Sequence, residues 1–176
     1  VFISLLFSVP LGVTAGIYLA MYAKKGFLTK FLRICIETLS SIPSIVVGLF
    51  GYLVFLVFFG LGKSLLAGAL SISILAIPVI TTTTEDAING LPGHYLQASL
   101  GLGATRWQSI YKVVIPAAGS GILSGIILGL ARAFGEALAV AMVIGQTTAL
   151  PKGLFSTTKS LTTEIAAQMG NATEGG

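Results

Sequence analysis

Residues 64–84 read SLLAGALSISILAIPVITTTT, a run without a single charged side chain. A helix needs about 20 predominantly apolar residues to cross the hydrocarbon core of a bilayer, and this run has that length. Three further uncharged runs cover residues 1–23, 38–62 and 113–131. The sequence therefore predicts an all-α fold, a polytopic transmembrane helical bundle.

The composition favours the same class of protein. Of 176 residues, 55% are hydrophobic and only 9% are charged, whereas a soluble domain carries roughly 25% charged residues. A soluble core made of such runs would need far more chain around it. The net charge of +4 comes mainly from loops, so we expect no nucleic-acid partner. One cysteine excludes an internal disulfide, and with the single histidine it argues against a metal site.

We predict a single transmembrane domain whose four spans are followed by a polar tail. The spans are residues 1–22, 42–60, 64–84 and 117–145, the long loop is 85–116, and the tail is 146–176. Loops rich in Lys and Arg stay in the cytoplasm. This rule predicts a multi-pass membrane protein with loop 85–116 on the cytoplasmic side and the tail on the opposite side. Because both ends of the chain look cut, we expect a piece of a longer protein.

Two groups of residues on or beside these spans have simple interpretations. The cations Lys24, Lys25, Lys30 and Arg33 are topology signals and contacts with membrane lipid headgroups. The glycines Gly121, Gly125 and Gly129 recur every four residues, so they lie on one face of a helix. A face of small residues lets another helix approach closely in lipid. We expect that contact within the chain or with a partner.

The loop between the third and fourth spans is patterned rather than a simple connector. Residues 94–100 read as a short helix that ends at the following glycines. Thr105 and Gln108 have the spacing of a capping box that opens a second helix. Trp107, Ile110, Tyr111 and Val114 would then lie on one apolar side. Such a pair of helices fits either a plug for a partner's groove or a pair lying on the membrane surface.

Two charges interrupt the fourth apolar run, LARAFGEALAV at residues 130–140. A helix entering near residues 117–121 carries Arg132 to about 17–22 Å depth, where a charge costs about 2.5–3.5 kcal/mol. Glu136 lies four residues further on, so one helix face would hold both. Intrahelical pairing in this order recovers only a few tenths of a kcal/mol. Three interpretations stay open: a lock between helices, a pathway for an anion, and a proton relay.

The long loop also resembles the cytoplasmic loop of ABC importer permeases. That pattern is E-A-A, three residues, G, nine residues, then I-x-L-P. Here Gln97, Ala98 and Ser99 stand for the triplet, Gly103 follows at the required distance, and residues 113–116 end the pattern at Pro116. Gln97 in place of the usual acid is the main departure, and it weakens any inference that needs that carboxylate.

The resemblance extends along nearly the whole chain and favours permeases of the phosphate-specific importer. Five stretches carry it: GIYLAMYAKK (16–25), SIPSIVVGLFGYL (41–53), TTTTEDAI (81–88), LGATRWQSIYKVVIPAA (102–118) and LARAFGEALAVAMVIG (130–145). The family implies about six spans per subunit and a pathway formed with a second permease subunit. It also implies a cytoplasmic ATPase dimer on the loop and a periplasmic or extracellular phosphate-binding protein.

The resemblance assigns roles to particular residues. Arg132 and Glu136 would line the substrate pathway, with the glutamate holding the guanidinium. The residues assigned to coupling with the ATPase are His94, Tyr95, Gln97, Ala98, Ser99, Gly103, Ala104, Arg106 and Pro116.

We expect a transport subunit without catalytic residues, bound metal or bound cofactor. The chain lacks the phosphate-binding pattern G-x-x-x-x-G-K-[ST], so ATP-Mg would be used by the partner ATPase, and transport would proceed by alternating access. Two alternatives remain open: a permease for another oxyanion, such as sulfate or molybdate, and an ion-coupled carrier or channel without an ATPase partner.

Overall fold

The computed structural model of the chain describes residues 1–23, 26–60, 62–136, 138–144, 156 and 161–172. These residues form helices and turns, without a β-strand among them, so the predicted all-α fold is confirmed. The helices are α1 (Phe2–Met21), α2 (Phe27–Ser41), α3 (Ser44–Gly51), α4 (Leu65–Asn89), α5 (His94–Gly101), α6 (Arg106–Ser109), α7 (Ile115–Ala117), α8 (Gly119–Gly135), α9 (Leu138–Ile144) and α10 (Leu161–Ala172). π-Helical segments extend α3 over Tyr52–Phe58 and α6 over Ile110–Val114.

The chain forms two compact units. The first contains Val1–Phe7, Ser41–Ala76 and the described part of Leu130–Gly176, and the second contains Ser8–Ser40 and Ile77–Gly129. Helices α1, α4 and α8 each contribute residues to both units.

Among the helices that the structure describes, two are long and apolar enough to cross a membrane, α1 and α4. Up to two more spans result if a bent pair of helices counts as one: α2 with α3 and its extension, and α6–α7 with α8. The second pair bends by 67° at the break between Ala117 and Gly119. The bent pairs begin at Phe27 and Arg106 rather than at residues 42 and 117, so the division of the chain into four spans stays a prediction.

Several helix bounds differ from the sequence-based expectation. Residues 27–41, treated as a cationic loop and the approach to a span, form α2. Helix α4 continues to Asn89, five residues beyond the predicted end of its span, because nothing in TTTTEDAIN interrupts helical geometry. Some predicted features lie outside the described residues, namely Lys24, Lys25, Gly145 and most of the tail. The described part of the tail consists of Ser156 and α10.

Hydroxyl side chains on the apolar helices bond back to their own helix. Thr14 donates to the Pro10 carbonyl oxygen at 2.6 Å, and Ser124 donates to the Ser120 carbonyl oxygen at 2.9 Å. Ser73 does more, since its Oγ lies 2.8 Å from the Ala69 carbonyl oxygen and 3.0 Å from that of Ser4 on α1. Such bonds satisfy polar groups in apolar surroundings, and the Ser73 bond also joins α4 to α1.

Glycines allow α4 to approach its neighbours closely. A Cβ atom at Gly16 of α1 would lie 2.7 Å from the Thr84 Cβ and from the Thr81 carbonyl oxygen. On α8, a Cβ at Gly125 would lie 3.0 Å from the Thr83 Cβ, and one at Gly121 would collide with Ala87. Two of the three glycines in the predicted stripe therefore make their close contact within the chain, against α4.

Each unit buries its own apolar cluster. In the second unit, Ile88 of α4 packs with Val114, Ala118 and Ile122, and α1 residues such as Ile17 surround them. In the first unit, Val47 of α3 packs with Leu75 of α4 and Ala139 of α9. Helices α3 and α9 meet closely because a Cβ at Gly48 would lie 2.7 Å from the Ala139 Cα.

An ion pair joins α2 to α4 in the second unit. The Arg33 guanidinium pairs with the Glu85 carboxylate, whose side chain is only 6% exposed, whereas that of Arg33 is 46% exposed. The sequence analysis assigned Arg33 only to topology and to lipid headgroups. The structure instead gives the buried carboxylate its counter-charge within the chain, as a buried charge requires.

We expect Gly16→Ala to destabilise the protein by about 1–3 kcal/mol, the usual range for an overpacked core. The added methyl would overlap the backbone and the Thr84 side chain of α4. Gly119→Ala is the matched control, because a Cβ there meets nothing within 4 Å. The measurement is the thermal unfolding midpoint of both variants in the same detergent, and equal midpoints would contradict the packing described here.

We expect Arg33→Gln to destabilise the protein by about 1–3 kcal/mol, since it leaves a buried acceptor group without its partner. The double variant Arg33→Gln with Glu85→Gln should recover part of that loss, because it removes the uncompensated charge as well. Unfolding of the two single variants and the double variant forms a double-mutant cycle. Strictly additive effects would mean that the two side chains do not interact.

Candidate functional site

The fourth apolar run contains a break beside its two charges. Helix α8 ends at Gly135, Glu136 is not helical, and α9 begins at Leu138. The expectation that one helix face holds both Arg132 and Glu136 is therefore wrong. Glycine ends helices readily because it has no Cβ and gains the most backbone freedom outside them, and Gly135 is at that point.

Glu136 makes two hydrogen bonds at the break. Its side-chain Oε1 accepts from the Ala139 backbone N–H at 3.4 Å, in the manner of a helix cap, and its carbonyl oxygen accepts from the Thr162 hydroxyl at 3.3 Å. The second bond brings α10 to the same place. Glu136 thus holds together the end of α8, the start of α9 and α10, all parts of the first unit.

Arg132 lies in the last turn of α8 and is partly buried. Its neighbour Ala133 belongs to the apolar cluster of Ile72, Val140 and Ile144. A cation in the last turn of a helix interacts favourably with the terminal carbonyl groups. Counted from Gly119, Arg132 lies about 20 Å along α8, and its depth in a membrane stays a prediction.

The long loop is a compact helical hairpin in the second unit. Helix α5 carries Gln97, Ala98 and Ser99, and the turn after it contains Gly103 at φ +85°. That conformation strains residues with a Cβ atom, which explains why a glycine stands there. The Ala104 N–H donates to the Ser99 carbonyl oxygen at 3.2 Å and closes the turn.

The second helix of the hairpin starts as the sequence predicts. Thr105 caps α6, and its Oγ1 accepts from the Gln108 N–H at 3.3 Å while the Gln108 Oε1 accepts from the Thr105 N–H at 2.9 Å. The predicted capping box is therefore confirmed. The hydroxyls of Ser99 and Ser109 lie 2.9 Å apart and connect the two helices.

Arg106 connects the hairpin to α1. Its guanidinium donates to the carbonyl oxygen of Met21, the last residue of α1, at 3.3 Å. This bond satisfies one of the carbonyl groups that a helix leaves free at its C-terminal end. Arg106 therefore has a partner within the chain, a contact that its sequence assignment to the ATPase did not include.

The hairpin's apolar residues divide between two sides. Ile110 and Val114 are buried against the core of the second unit, at 0% and 4% exposure. Trp107 and Tyr111 are 65% and 64% exposed and stack on each other, with ring centroids 6.5 Å apart. The expectation that all four share one apolar side is wrong. Ile110 and Val114 form one i,i+4 pair that faces the core, and Trp107 and Tyr111 form another that faces outward.

The remaining residues assigned to coupling lie at the surface of the same hairpin. His94 begins α5 and stacks on Tyr95 at 4.8 Å, and both are exposed. Pro116 is exposed in α7, just before the bend into α8. All nine predicted coupling residues thus belong to one unit, whereas Arg132 and Glu136 belong to the other.

Sequence reasoning missed the Arg33–Glu85 pair and the bonds from Glu136 to α9 and α10. The charges of the first pair are 52 positions apart, with no spacing rule to connect them. For Glu136, the adjacent Gly135 was a usable signal of a helix end, although the apolar run continues past it.

Comparison with known proteins identifies a family. The family described as "Binding-protein-dependent transport system inner membrane component" matches residues 12–169. The chain is 45% identical to the probable ABC transporter permease protein YqgI of Bacillus subtilis, over 84% of this chain and 50% of the relative. It is 31% identical to the phosphate transport system permease protein PstC of Pasteurella multocida, over 97% of this chain and 61% of the relative.

A relative with the other phosphate permease name also matches. The chain is 36% identical to the phosphate transport system permease protein PstA of Xylella fastidiosa, over 76% of this chain and 47% of the relative. The chain spans about half the length of the curated relatives it matches. The resemblance predicted from the loop pattern and the apolar stretches is confirmed, and the chain belongs to the family of inner-membrane components of binding-protein-dependent transport systems, the permeases of ABC importers.

Proposed function

We propose that the chain is part of the membrane-spanning permease subunit of an ATP-driven importer of inorganic phosphate. It would act in a prokaryotic inner membrane with a second permease subunit, a cytoplasmic ATPase dimer and an extracytoplasmic phosphate-binding protein. The observation that carries the proposal is the pair of charges at the helix break in the fourth apolar run, Arg132 and Glu136.

The break supports a pathway more than it supports a simple lock between helices. Non-helical backbone at membrane depth is tolerated only where protein buries it or where it lines a water-filled cavity. Charged residues at that depth are costly and mark functional sites by default. The chain combines both features within five residues, 132–136, and a lock between helices requires only the charges.

The two charges have separate roles in this proposal. Guanidinium donors are planar and match two oxygens of a phosphate group at once, so Arg132 would contact the anion in transit. The Oε1 atom of Glu136 accepts a hydrogen bond from the Ala139 N–H, so in this proposal the carboxylate helps to hold the break. Its negative charge still lowers the net charge of the region and keeps the grip on an anion weak enough for release.

Phosphate is favoured among oxyanions by the names of two relatives, PstC and PstA phosphate transport permeases. The more similar relatives are described only as probable ABC transporter permeases. Sulfate or molybdate therefore belongs among the outcomes of the transport test.

The helical hairpin of residues 94–117 is the proposed docking element for the ATPase. The side facing away from the core carries Trp107, Tyr111 and the 90% exposed Leu102. Exposed aromatic and apolar residues of this kind dominate binding energy when a partner buries them. With ATP used by that partner, the permease itself would hydrolyse nothing.

We expect Arg132→Gln in the full-length protein to reduce labelled phosphate uptake about ten- to a hundredfold, the range for loss of a hydrogen bond to a charged group. Arg132→Lys should have an intermediate effect, because it keeps the charge but loses the planar donors. Lys63→Gln is the control, since it removes a charge from the turn before α4. Membrane level and association with the ATPase are measured in every variant.

The other outcomes are informative. If uptake and assembly fall together, the charge joins helices and the pathway role is rejected. Unchanged uptake in Arg132→Gln would place anion contact elsewhere. If sulfate or molybdate competes with phosphate at equal concentration, the importer serves another oxyanion. Uptake without any ATPase in the complex would favour an ion-coupled carrier.

For docking, we expect Tyr111→Ala to weaken association with the ATPase while the free energy of unfolding of the permease stays within about 0.5 kcal/mol of wild type. Ile110→Ala is the matched contrast, because the neighbouring side chain is fully buried and its truncation costs about 2–5 kcal/mol. The measurement is co-purification with the ATPase next to thermal unfolding. Normal association of Tyr111→Ala would argue that this side of the hairpin faces something else.

A further inference from the structure

A cavity of about 590 Å³ lies at the ends of α1 and α4 in the second unit. Leu19 and Ala20 of α1 and Ala23, just after that helix, form its apolar wall. Lys30 and Arg33 of α2 supply cations, and Asn89 lines the cavity at the end of α4. The described lining residues include no carboxylate. The volume falls in the range of pockets that hold small-molecule ligands.

Helix α2 presents two different sides. Phe27, Leu28, Phe31 and Ile34 are between 51% and 88% exposed, so the part of the chain that the structure describes leaves this apolar side of α2 uncovered. Lys30 and Arg33 lie on the other side, at the cavity. A basic helix with one apolar side lies in the membrane interface, with that side in the acyl region and its cations at the headgroups.

The charge of the cavity suits a singly charged anion. Arg33 is balanced by the Glu85 carboxylate, whereas Lys30 has no ion pair within the described residues. The described lining residues therefore carry about one positive charge in excess. The phosphodiester group of a phospholipid carries one negative charge, and the acyl chains of the lipid match an apolar wall. Inorganic phosphate has no apolar part to contact that wall.

We propose that this cavity binds the headgroup of an anionic phospholipid, with its phosphate beside Lys30 and its glycerol and upper acyl region against Leu19, Ala20 and Ala23. The charge pattern predicts this end of α1 and α4 to face the cytoplasm, the leaflet where anionic lipids attract basic segments. A bound lipid would join α2 to α1 and α4 beside the Arg33–Glu85 pair. The proposal does not depend on which substrate is transported.

The test uses the full-length protein in neutral detergent, titrated with dioctanoyl phosphatidylglycerol, dioctanoyl phosphatidylcholine or inorganic phosphate. Thermal unfolding midpoints give the apparent affinities. We expect phosphatidylglycerol to stabilise the wild type more than phosphatidylcholine does, and Lys30→Gln to weaken phosphatidylglycerol binding about fivefold. Lys30→Arg and the control Lys63→Gln should keep wild-type affinity.

A second variant changes the shape of the cavity without changing its charge. Ala23→Phe should fill the apolar wall and weaken phosphatidylglycerol binding to a similar degree, and its lipid-free midpoint reports whether the protein still folds. Equal losses in Lys30→Gln and Lys63→Gln would overturn the proposal in favour of general surface charge. Unchanged binding in Ala23→Phe would also overturn it, as would displacement of the lipid by millimolar inorganic phosphate, which would make the site one for the free anion.

Discussion

The close approach of α4 to α1 and α8 is the constraint on which the second unit depends. Lipid tails are as apolar as the helices, so association in a bilayer comes from contact packing rather than from the hydrophobic effect. Gly16 of α1 and Gly125 of α8 bring backbone against the threonines of α4. The Arg33–Glu85 pair, the cavity and the bond from Arg106 to Met21 all lie near the ends of these helices, and each needs those ends at a fixed separation.

The chain accommodates carboxylates in apolar surroundings in two ways. Glu85 keeps its helix regular and takes its counter-charge from another helix. Glu136 instead lies where a helix has ended, and its carboxylate accepts from the Ala139 N–H at the start of the next helix. The first arrangement joins two elements side by side, and the second joins two elements end to end. Both follow from the same cost, that of a charge without a partner in a medium of low dielectric.

Much of the fold could be predicted from local sequence. Uncharged runs indicated the apolar helices, the Thr105–Gln108 spacing indicated the start of α6, and the glycine period indicated a close contact. These features depend on residues within one or two helical turns. Helix α2 was not predicted because its cations indicated a loop, although its apolar residues recur at helical spacing.

The candidate site was harder to predict, because its geometry depends on distant partners. Composition located Arg132 and Glu136 as unusual, and the loop pattern located the hairpin. The hydroxyl of Thr162 on the Glu136 carbonyl and the guanidinium of Arg106 on Met21 join residues 26 and 85 positions apart. The sequence contains no spacing rule for such pairs. Resemblance to a family supplies roles for residues, but it supplies none of these contacts.

The length of α4 relates the protein to the thickness of its membrane. Its 25 residues measure about 37 Å, and the uncharged part that ends at Thr84 measures about 30 Å, equal to a typical hydrocarbon core. If α4 stands upright in such a bilayer, its last five residues, including Glu85, lie at the level of the headgroups. A bilayer thicker by a few ångströms would draw the ion pair toward the acyl chains, whereas a thinner one would be matched by tilting. If α4 crosses the bilayer upright, the distance between Lys63 and Glu85, which bound its uncharged run, sets the bilayer thickness that suits this protein.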